Sequence, residues 1–280
     1  MTDTTAGDLA RSAHKVLEPF HTLVYFVPEG GERYEAAGVG GSMRAYFASR
    51  SAPFGVTSAE VVIATFYNFA PDRVRRAIPS VWETTTPERV LAARLDVVDA
   101  ALRRMLPEEL DSDAMAEAAA LARTACDAAD VVGRPLYAAH AGLPWPEPDH
   151  LQLWHATTLL REHRGDGHIA ALVLAGLSGA EAAVTYVATG HSAMNEELQR
   201  STRGYTLEEW QSVKNTLRAR GLLNEDGSLT DAGGQLRARV EAQTDEAAAA
   251  PYEHLGADKT QRLIELVRPW ARSITEQIFG

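Results

Sequence analysis

The recurrence of helix-start signals is the feature that most limits how this chain can fold. Three segments carry a Ser/Thr-x-x-Glu pattern, in which a hydroxyl and a carboxylate bind the first free amides of a helix. They begin at Thr57, Ser178 and Thr206. A fourth start is typical of Thr86-Pro87-Glu88, because proline suits the first helical position. Apart from one short hairpin, no segment alternates apolar and polar residues with the period of a β-strand. The sequence therefore predicts an all-α protein of many helices.

Composition narrows the class of protein. The 280 residues are 45% hydrophobic and 23% charged, which is typical of a globular chain with a sizeable core. The apolar stretch at residues 169–177 is only about half of the roughly 20 residues that a membrane-spanning helix needs. The N-terminus lacks the pattern of a signal peptide, and the single cysteine, Cys126, excludes an internal disulfide. We therefore expect a cytoplasmic protein with no membrane partner.

A turn-rich connection divides the sequence. Residues 133–149 contain four prolines and two glycines, residue types that interrupt regular elements. We therefore predict an N-terminal helical domain over residues 1–149 and a second domain over residues 150–280. In the second domain we expect a helix that ends near His163, with Gly165 as its C′ residue. Asp166 would then be the N-cap of the next helix, so that the chain turns between the two.

The C-terminal half contains a winged-helix pattern. An expected helix ends in Arg-Gly-Leu-Leu at residues 220–223, a short β-hairpin follows at residues 224–229, and Thr230 starts the next helix. This run resembles the recognition helix, wing and following helix of MarR-like proteins. The resemblance implies a fold that can insert its recognition helix into the major groove of DNA.

Charge argues against DNA as the partner of this region. The chain has a net charge of −11, and phosphates repel such a protein unless its cations are gathered locally. Residues 205–229 contain three cations and four carboxylates, and Glu225 and Asp226 occupy the expected wing tip. Packing or dimerisation is therefore an alternative use of the winged helix. DNA binding stays open through a modest basic strip, formed by Arg200, Arg203, Lys214, Arg218 and Arg220.

The densest chemistry lies in residues 162–168, which read Glu-His-Arg-Gly-Asp-Gly-His. In the predicted turn these side chains would converge on a small volume. Imidazoles titrate near neutral pH and suit proton transfer, and a neighbouring carboxylate orients them. We therefore predict catalytic roles for His163 and His168 as proton carriers and for Glu162 and Asp166 as orienting carboxylates. Arg164 would clamp an anionic group of the substrate.

A structural role is the alternative for part of this motif. Asp166 would cap the helix that follows it, and Arg164 would pair with Glu162 to tie two helices together. No metal ligands are predicted, because the histidine spacing does not match HExxH and the chain has no pair of cysteines. An irregular iron or copper site stays open, and the sequence identifies no cofactor.

Four stretches of the chain carry sequence motifs that recur together in one protein family, at residues 20–29, 46–55, 64–71 and 160–172. Together with the winged-helix end, they resemble a poorly characterised actinobacterial family with a helix-turn-helix fold, the SalK-like proteins. The resemblance implies the fold but no defined activity. It also adds four candidate ligand-binding residues that lie inside the matching stretches, His21, Arg50, Tyr67 and Asn68.

The remaining candidates each have two interpretations. His21 lies in an apolar stretch, so it is either a core histidine or a residue directed at a pocket. His155 lies seven residues before Glu162 and so on nearly the same helix face. It is either a neighbour of Glu162 in the pocket or a surface histidine. Tyr67 and Asn68 either pack or offer hydrogen-bonding groups to a ligand.

The candidate residues together favour a small-molecule pocket between the two helical parts. We predict an enzyme that performs acid/base chemistry on a small metabolite, as a hydrolysis, an elimination or a rearrangement, without an organic redox cofactor. The chain has no serine-hydrolase elbow, phosphate loop or dinucleotide fingerprint. The alternatives are a ligand-responsive regulator of the MarR type and a protein that sequesters a metabolite or an antibiotic.

An apolar stripe near the C-terminus offers a surface for a homodimer. The residues recur at helical spacing, which is equally typical of a helix packed inside one chain. The stripe consists of Leu263, Ile264, Leu266, Val267, Trp270 and Ile274.

Overall fold

The computed structural model describes residues 5–192 and 194–280, and within them the chain forms fifteen α-helices. In chain order these are α1 Ala6–Thr22, α2 Glu29–Ala36, α3 Ser42–Ser51, α4 Ala59–Phe66, α5 Pro71–Arg75, α6 Pro87–Met105, α7 Asp113–Cys126, α8 Pro135–Ala141, α9 Asp149–Leu174, α10 Gly179–Ala188, α11 Glu196–Arg203, α12 Leu207–Ala219, α13 Asp231–Ala247, α14 Ala250–Leu255 and α15 Ala257–Phe279. Single turns of 3₁₀ helix lie at Leu23–Tyr25, Ala52–Phe54 and Ser80–Glu83. The prediction of an all-α protein is confirmed.

The predicted β-hairpin is reduced to one contact. In the described part of the chain no residue is assigned to a β-strand, and Leu223 and Leu229 form an isolated antiparallel bridge. The turn between them is closed by a hydrogen bond from the Asn224 amide to the Ser228 carbonyl (2.9 Å). A connection this short holds too few residues for a ladder of strand hydrogen bonds.

Most predicted helix starts are confirmed by the capping contacts. Ser178 and Thr206 each accept a hydrogen bond from the amide of a glutamate three residues later, and that glutamate bonds back to the cap amide. Thr86 caps α6 in the predicted way, with proline at the first helical position. The capping box predicted at Thr57 does not form, because Ser58 is the N-cap of α4 and accepts a hydrogen bond from the Val61 amide, and the helix begins at Ala59.

The predicted turn inside residues 162–168 is wrong. Helix α9 is continuous from Asp149 to Leu174, so Gly165 is not a C′ residue and Asp166 is not the N-cap of a new helix. Each helical glycine costs about 1 kcal/mol relative to alanine. Buried side chains before and after the glycines offset this cost, since tertiary packing of a helix outweighs propensity.

Close contacts group the chain into two compact units that alternate along the sequence. The first unit contains the chain up to Val56, Ser80–Asp166 and Asp245–Gly280. The second contains Thr57–Pro79 and Gly167–Thr244. These limits differ from the boundary expected at residues 149–150, and the division into separable domains at that point stays a prediction.

The core of the first unit is built around α15. This helix packs along α1 and also contacts α7, α14 and α6. Its apolar stripe is therefore buried inside the unit and is not available as a dimer surface. The buried residues of the stripe are Leu263, Ile264, Leu266, Val267, Trp270 and Ile274.

The core of the second unit is formed where α10 packs against α11 and α12. Trp210 and Leu217 of α12 are almost fully buried there, next to Leu172, Leu177 and Val240. No single helix among the described residues is long and apolar enough to cross a membrane. The bent pair α9 and α10 reaches that length and hydropathy only when its two helices, 97° apart, are taken together.

Candidate functional site

Glu162 lies at the centre of a charged cluster inside the first unit. Its carboxylate is fully buried and accepts two hydrogen bonds from the guanidinium group of Arg50, at 2.9 and 2.8 Å. Arg161 donates a third at 3.0 Å. Burial alone would raise the pKa of Glu162, but the two guanidinium groups outweigh it and hold the pKa well below its usual range. The residue is therefore a fixed counterion rather than a proton carrier at neutral pH.

Arg94 of α6 lies in the same interior but has no carboxylate partner among the described residues. Its side chain is 2% exposed and donates to the Ser49 carbonyl (2.8 Å) and the Tyr25 hydroxyl (3.1 Å). The Nε2 of His140 lies 3.2 Å from the same guanidinium, while its Nδ1 lies 2.9 Å from the Leu136 carbonyl. Burial and the charge of Arg94 lower the pKa of His140 to about 3. His140 is therefore neutral, with Nδ1 as donor and Nε2 as acceptor.

His21 has one satisfied and one unsatisfied ring nitrogen. Its Nδ1 lies 3.0 Å from the Thr158 hydroxyl, which itself donates to the Trp154 carbonyl at 2.9 Å. Thr158 is therefore the acceptor for Nδ1–H, and Nε2 is left as an acceptor with no hydrogen-bond partner in the described chain. His155 likewise has an unpartnered Nε2, and its ring contacts Trp145 edge to face. Burial lowers the pKa of His155 to about 4.

Sequence reasoning found only part of this cluster. His21, Arg50 and Glu162 were predicted and are brought together, whereas Arg94, His140 and Tyr25 were missed. The signal for Arg94 was present, because it interrupts the apolar stripe of α6. The stripe contains Val90, Val97, Val98 and Ala101, which are all buried.

Asp166 caps a helix, but not the one predicted. Its Oδ2 accepts a hydrogen bond from the Tyr137 amide (2.9 Å) in the first turn of α8. Burial raises the pKa of Asp166 to about 6, the backbone amides of α8 oppose the rise, and the charge of Glu162 adds to it. Asp166 therefore joins α9 to α8 from the side.

His163 and Arg164 also make structural contacts. The His163 carbonyl accepts a hydrogen bond from Arg134, and its ring meets Tyr137 edge to face at 5.2 Å. Burial and the charge of Arg134 lower the pKa of His163 to about 4. Arg164 forms an ion pair with Asp245 at 2.7 Å, rather than with the neighbouring glutamate as expected.

Tyr67 fixes the end of α4 in the second unit. It adopts a positive φ of 50° and its hydroxyl donates to the Leu177 carbonyl at 2.6 Å. A Cβ on Gly179 would lie 1.9 Å from the Tyr67 carbonyl oxygen, so the two segments meet backbone to backbone. The neighbouring Asn68 is half-buried, and its Oδ1 has no partner in the described chain.

The predicted catalytic and binding residues are divided between the two units. His168 is in the second unit, where its Nδ1 lies 2.8 Å from the Thr244 hydroxyl. Tyr67 and Asn68 also belong to the second unit. The others belong to the first unit, and these are His21, Arg50, His155, Glu162, His163, Arg164 and Asp166.

A narrow cleft opens beside the charged cluster of the first unit. Its polar walls come from His14, Glu18, Arg161 and Arg164, and Tyr252 closes one side. The space inside holds about one water molecule. The cleft is therefore too small for an organic metabolite without movement of its walls.

The second unit contains two helices joined by a tight turn, α11 and α12. Gly204 ends α11 with a φ of 86°, and Thr206 caps α12 two residues later. Helix α5 lies against this turn, because Arg73 fills the space beside Gly204 and the Ala70 amide donates to the Arg203 carbonyl (2.9 Å). A segment from residues 57–79 thus supports the turn between two helices that come much later in sequence.

The cations of α12 and its C-cap are engaged within the unit. Lys214 bonds both carboxylate oxygens of Glu196, at 2.9 and 3.1 Å. Arg218 donates to two wing carbonyl groups, at 3.3 and 3.1 Å. Arg220 forms an ion pair with Glu181 at 2.5 Å. The exposed side of α12 instead carries the uncharged polar residues Gln211, Ser212, Asn215 and Thr216, with the exposed carboxylates Glu208 and Glu209 in its first turn.

Positive charge collects beside the turn rather than along α12. We call this group the arginine cluster; it consists of Arg73, Arg75, Arg76, Arg200 and Arg203. Arg203 stacks on the ring of Phe69 at 4.6 Å. Burial and, to a smaller extent, the charge of Arg76 lower the pKa of Arg73. Arg73 has no carboxylate partner among the described residues, whereas Arg75 pairs with Glu60 and Asp72.

The tip of the wing is acidic, as the sequence predicted. The Glu225 side chain is 97% exposed, and Asp226 accepts hydrogen bonds from the amide and hydroxyl of Ser228 at 2.9 and 2.6 Å. Two carboxylates therefore project at the end of the connection that follows α12.

Comparison with protein families places nearly the whole chain in a known family. A family model described as a helix-turn-helix family matches residues 10–279. No curated protein and no solved structure is significantly similar to the chain. Among the described residues, no group of three or more His, Cys, Asp or Glu side chains is arranged to hold a metal ion.

Proposed function

The chain belongs to a helix-turn-helix family, and we propose that it binds double-stranded DNA through α11 and α12. In this motif the second helix enters the major groove, and residues near its start contact base edges. Helix α12 follows the tight turn at Gly204 and presents a continuous exposed polar side. We therefore favour a regulator, which the sequence left open as an alternative, over an enzyme.

The exposed side of α12 is the observation on which the proposal rests. Gln211 and Asn215 lie one helical turn apart, and amide side chains can make paired hydrogen bonds to adenine edges. Asn215 Oδ1 also accepts a hydrogen bond from Arg218 at 2.9 Å, which orients this amide. Ser212 and Thr216 supply hydroxyl groups, which can both donate and accept hydrogen bonds. A surface that served only for packing would be apolar, as the opposite side with Trp210 and Leu217 is.

The arginine cluster supplies the phosphate contacts in this proposal. Lys214, Arg218 and Arg220, which the sequence analysis had considered for that role, are engaged with carboxylates and carbonyl groups. Arg73 and Arg203 flank the turn before α12, where a phosphate would lie if the helix entered the groove. We expect a small number of phosphate contacts and therefore a weak dependence of affinity on salt.

We also propose the more specific features of a MarR-like regulator. We assign the MarR-like winged helix to α10–α13 with residues 224–229 as the wing, and we keep the SalK-like resemblance as the closer family. Dimerisation would match a palindromic site, but it would have to use a surface other than the buried stripe of α15. A cytoplasmic location and the binding of a small metabolite remain predictions.

Acid/base catalysis by residues 162–168 has no support from the described contacts. Asp166 caps α8, Arg164 pairs with Asp245, and Glu162 is locked between guanidinium groups. His163 has its pKa lowered to about 4 and has no carboxylate to orient its ring among the described residues. Enzymatic activity and sequestration of an antibiotic remain predictions from sequence alone.

The experiment is selection of short duplexes from a random library, followed by fluorescence anisotropy at several salt concentrations. We expect Asn215→Ala to lose the preference for the selected duplex, by about tenfold or more for a lost bidentate contact, while the salt slope is unchanged. We expect Arg73→Gln to weaken binding to all duplexes equally and to reduce the salt slope by about 1. Arg103→Gln, on the exposed face of α6, is the control that changes neither. Absence of wild-type binding at about 50 mM salt would overturn the proposal.

A further inference from the structure

Leu207 is an exposed apolar residue at the start of α12. It is the first residue of this helix and is 61% exposed. The core of the second unit, as far as the structure describes it, includes Trp210 three positions later but not Leu207. A leucine that stays in water forgoes most of the free energy that its burial would supply. The packing of the second unit therefore does not account for this side chain.

Leu207 lies on the same side of α12 as the two amides that we assigned to base contacts. Gln211 and Asn215 follow it at intervals of four residues, and all three residues are exposed. Side chains four positions apart are neighbours on one face of an α-helix. Successive members of this row are about 6 Å apart along the helix axis. One apolar and two amide side chains therefore form a single stripe, which we call the 207–211–215 stripe.

The two carboxylates of the first turn lie outside this stripe. The Glu209 carboxylate turns back to the N-cap, where it accepts hydrogen bonds from the Thr206 amide (2.7 Å) and hydroxyl (2.9 Å). Glu208 is exposed one position further round the helix. A carboxylate can only accept hydrogen bonds, and thymine presents an acceptor oxygen beside its methyl group. Leu207 is thus the side chain of the first turn that suits thymine.

The start of α12 is also the part of the helix that lies next to the expected phosphate contacts. Arg73 fills the space beside Gly204, and Arg203 precedes that glycine in the turn. Phosphate contacts fix the position of a protein on the duplex, and residues near the start of the second helix then reach base edges. Leu207 follows the turn by three positions, so it occupies that part of the motif.

We propose that Leu207 contacts the 5-methyl group of a thymine in the major groove. The proposal rests on the proposed DNA binding by α12, and it assigns one residue to one kind of base. Apolar side chains recognise the thymine methyl group, whereas amide side chains such as that of Gln211 recognise adenine. Base pairs are stacked about 3.4 Å apart, and neighbours in the stripe are about 6 Å apart. The thymine should therefore lie about one or two base pairs from the adenine that Gln211 contacts.

The test removes a single methyl group from the DNA. The full chain is titrated by fluorescence anisotropy with the duplex selected from the random library. Each thymine of that duplex is replaced in turn by deoxyuridine, which keeps the base pair and lacks only the 5-methyl group. At one position we expect the replacement to weaken binding of the wild type about fourfold, the effect of one methyl group that loses its burial. Replacement at the other thymines should have little effect.

Variants assign the methyl effect to Leu207. Leu207→Ala should bind the thymine and deoxyuridine duplexes equally, and it should fold because the position is exposed and alanine favours a helix. Leu207→Met keeps an apolar side chain of similar volume and should retain most of the methyl effect. The matched control is Leu174→Ala, which removes the same atoms from an 80% exposed position at the end of α9 and should respond like the wild type.

The results that would overturn the inference differ from those that would overturn DNA binding. A full methyl effect in Leu207→Ala would assign the contact to another residue. Equal affinity of the wild type for every thymine and deoxyuridine duplex, or a selected duplex without thymine, would exclude the contact altogether. Each of these results leaves DNA binding intact. Absence of binding to any duplex would overturn the proposed function and this inference together.

Discussion

At the scale of the residue, Asp166 and Glu162 are carboxylates four positions apart on α9 with opposite pKa shifts. Glu162 faces two guanidinium groups, so its pKa is held well below its usual range despite complete burial. Asp166 accepts hydrogen bonds from backbone amides of α8, whose effect and that of the more weakly acting Arg50 do not outweigh burial, so its pKa is raised to about 6. The pKa of a buried carboxyl group on this helix is thus raised or lowered according to the groups that it contacts.

The raised pKa of Asp166 predicts how stability changes with pH. Because the unfolded-state pKa is about 3.9, the native state binds the proton more tightly. Its contribution to the free energy of unfolding is fully present below about pH 4 and is lost as the pH rises through about 6. Asp166→Asn cannot ionise, yet it keeps an amide oxygen for the Tyr137 amide. We expect this variant to gain stability relative to the wild type between about pH 4 and 7.

Urea unfolding at several pH values measures this difference. The difference should grow as the pH rises, and Asp96→Asn, the same substitution at an exposed position of α6, is the matched control. A difference between Asp166→Asn and the wild type that stays constant from about pH 4 to 7 contradicts the raised pKa.

Residue types indicated the charged cluster only in part. His21, Arg50 and Glu162 stood out because polar residues in apolar or motif-rich stretches are unusual. Arg94 was overlooked since one arginine among alanines and valines is typical of a surface position until the helix face is known. Which carboxylate each arginine meets could not be predicted, because Arg50 and Glu162 are 112 positions apart in sequence.

At the scale of the element, short-range chemistry predicted where helices begin better than where they end. The capping boxes at Ser178 and Thr206 depend on contacts within four residues, so the sequence contains the whole signal. Gly165 and Gly167 suggested a stop, but continuation of α9 depends on packing with distant segments that the local pattern does not contain. The prediction of a β-hairpin was wrong although its local turn forms. Only one bridge, between Leu223 and Leu229, pairs the residues on either side of that turn.

Two glycine-to-alanine substitutions test the surroundings of two helical glycines, Gly165 inside the continuous α9 and Gly179 at the start of α10. At Gly165 an added Cβ would meet Arg161 at 3.4 Å and Glu162 at 3.5 Å, which are ordinary contacts. Gly165→Ala should therefore raise the free energy of unfolding by about 0.5–1 kcal/mol, the gain in helix propensity. Gly179→Ala should lower it by about 1–3 kcal/mol, because its Cβ would lie 1.9 Å from the Tyr67 carbonyl oxygen.

Chemical denaturation of both variants measures these changes under one condition. The pair serves as its own control, since the substitution is identical and only the surroundings differ. Destabilisation by Gly165→Ala would indicate a positive φ at that position and would restore the turn that the sequence suggested.

At the scale of the whole molecule, the negative charge is unevenly divided. Of the 27 Lys and Arg and 38 Asp and Glu residues, ten and eleven belong to Thr57–Pro79 and Gly167–Thr244. The second unit is therefore nearly neutral, and almost the whole net charge of −11 belongs to the first unit. Taken over the whole chain, the net charge of −11 disfavours DNA as a partner. That argument weakens once the charge is assigned to units, because phosphates respond to the nearest charges within about 10 Å.

The acidic wing tip, together with Glu208 and Glu209 in the first turn of α12, is then a local source of repulsion in the proposed DNA complex. Replacing Glu225 by Gln and Asp226 by Asn removes two exposed negative charges. The amide oxygen of the second substitution would still accept a hydrogen bond from Ser228. We expect the double variant to bind a duplex several-fold more tightly at about 50 mM salt, because like charges near phosphates weaken association. The gain should shrink as salt shortens the range of the repulsion.

Anisotropy titrations of the same duplex at low and high salt measure the effect. The matched control is Glu253→Gln combined with Glu276→Gln, which removes two exposed carboxylates from the first unit. Equal gains in both double variants would mean that only total charge matters and that the wing does not approach DNA. No gain in either would place the wing away from the phosphates, and the winged-helix part of the proposal would fail. A gain confined to the wing variant requires residues 224–229 to lie beside the duplex, as a winged helix that reads DNA places them.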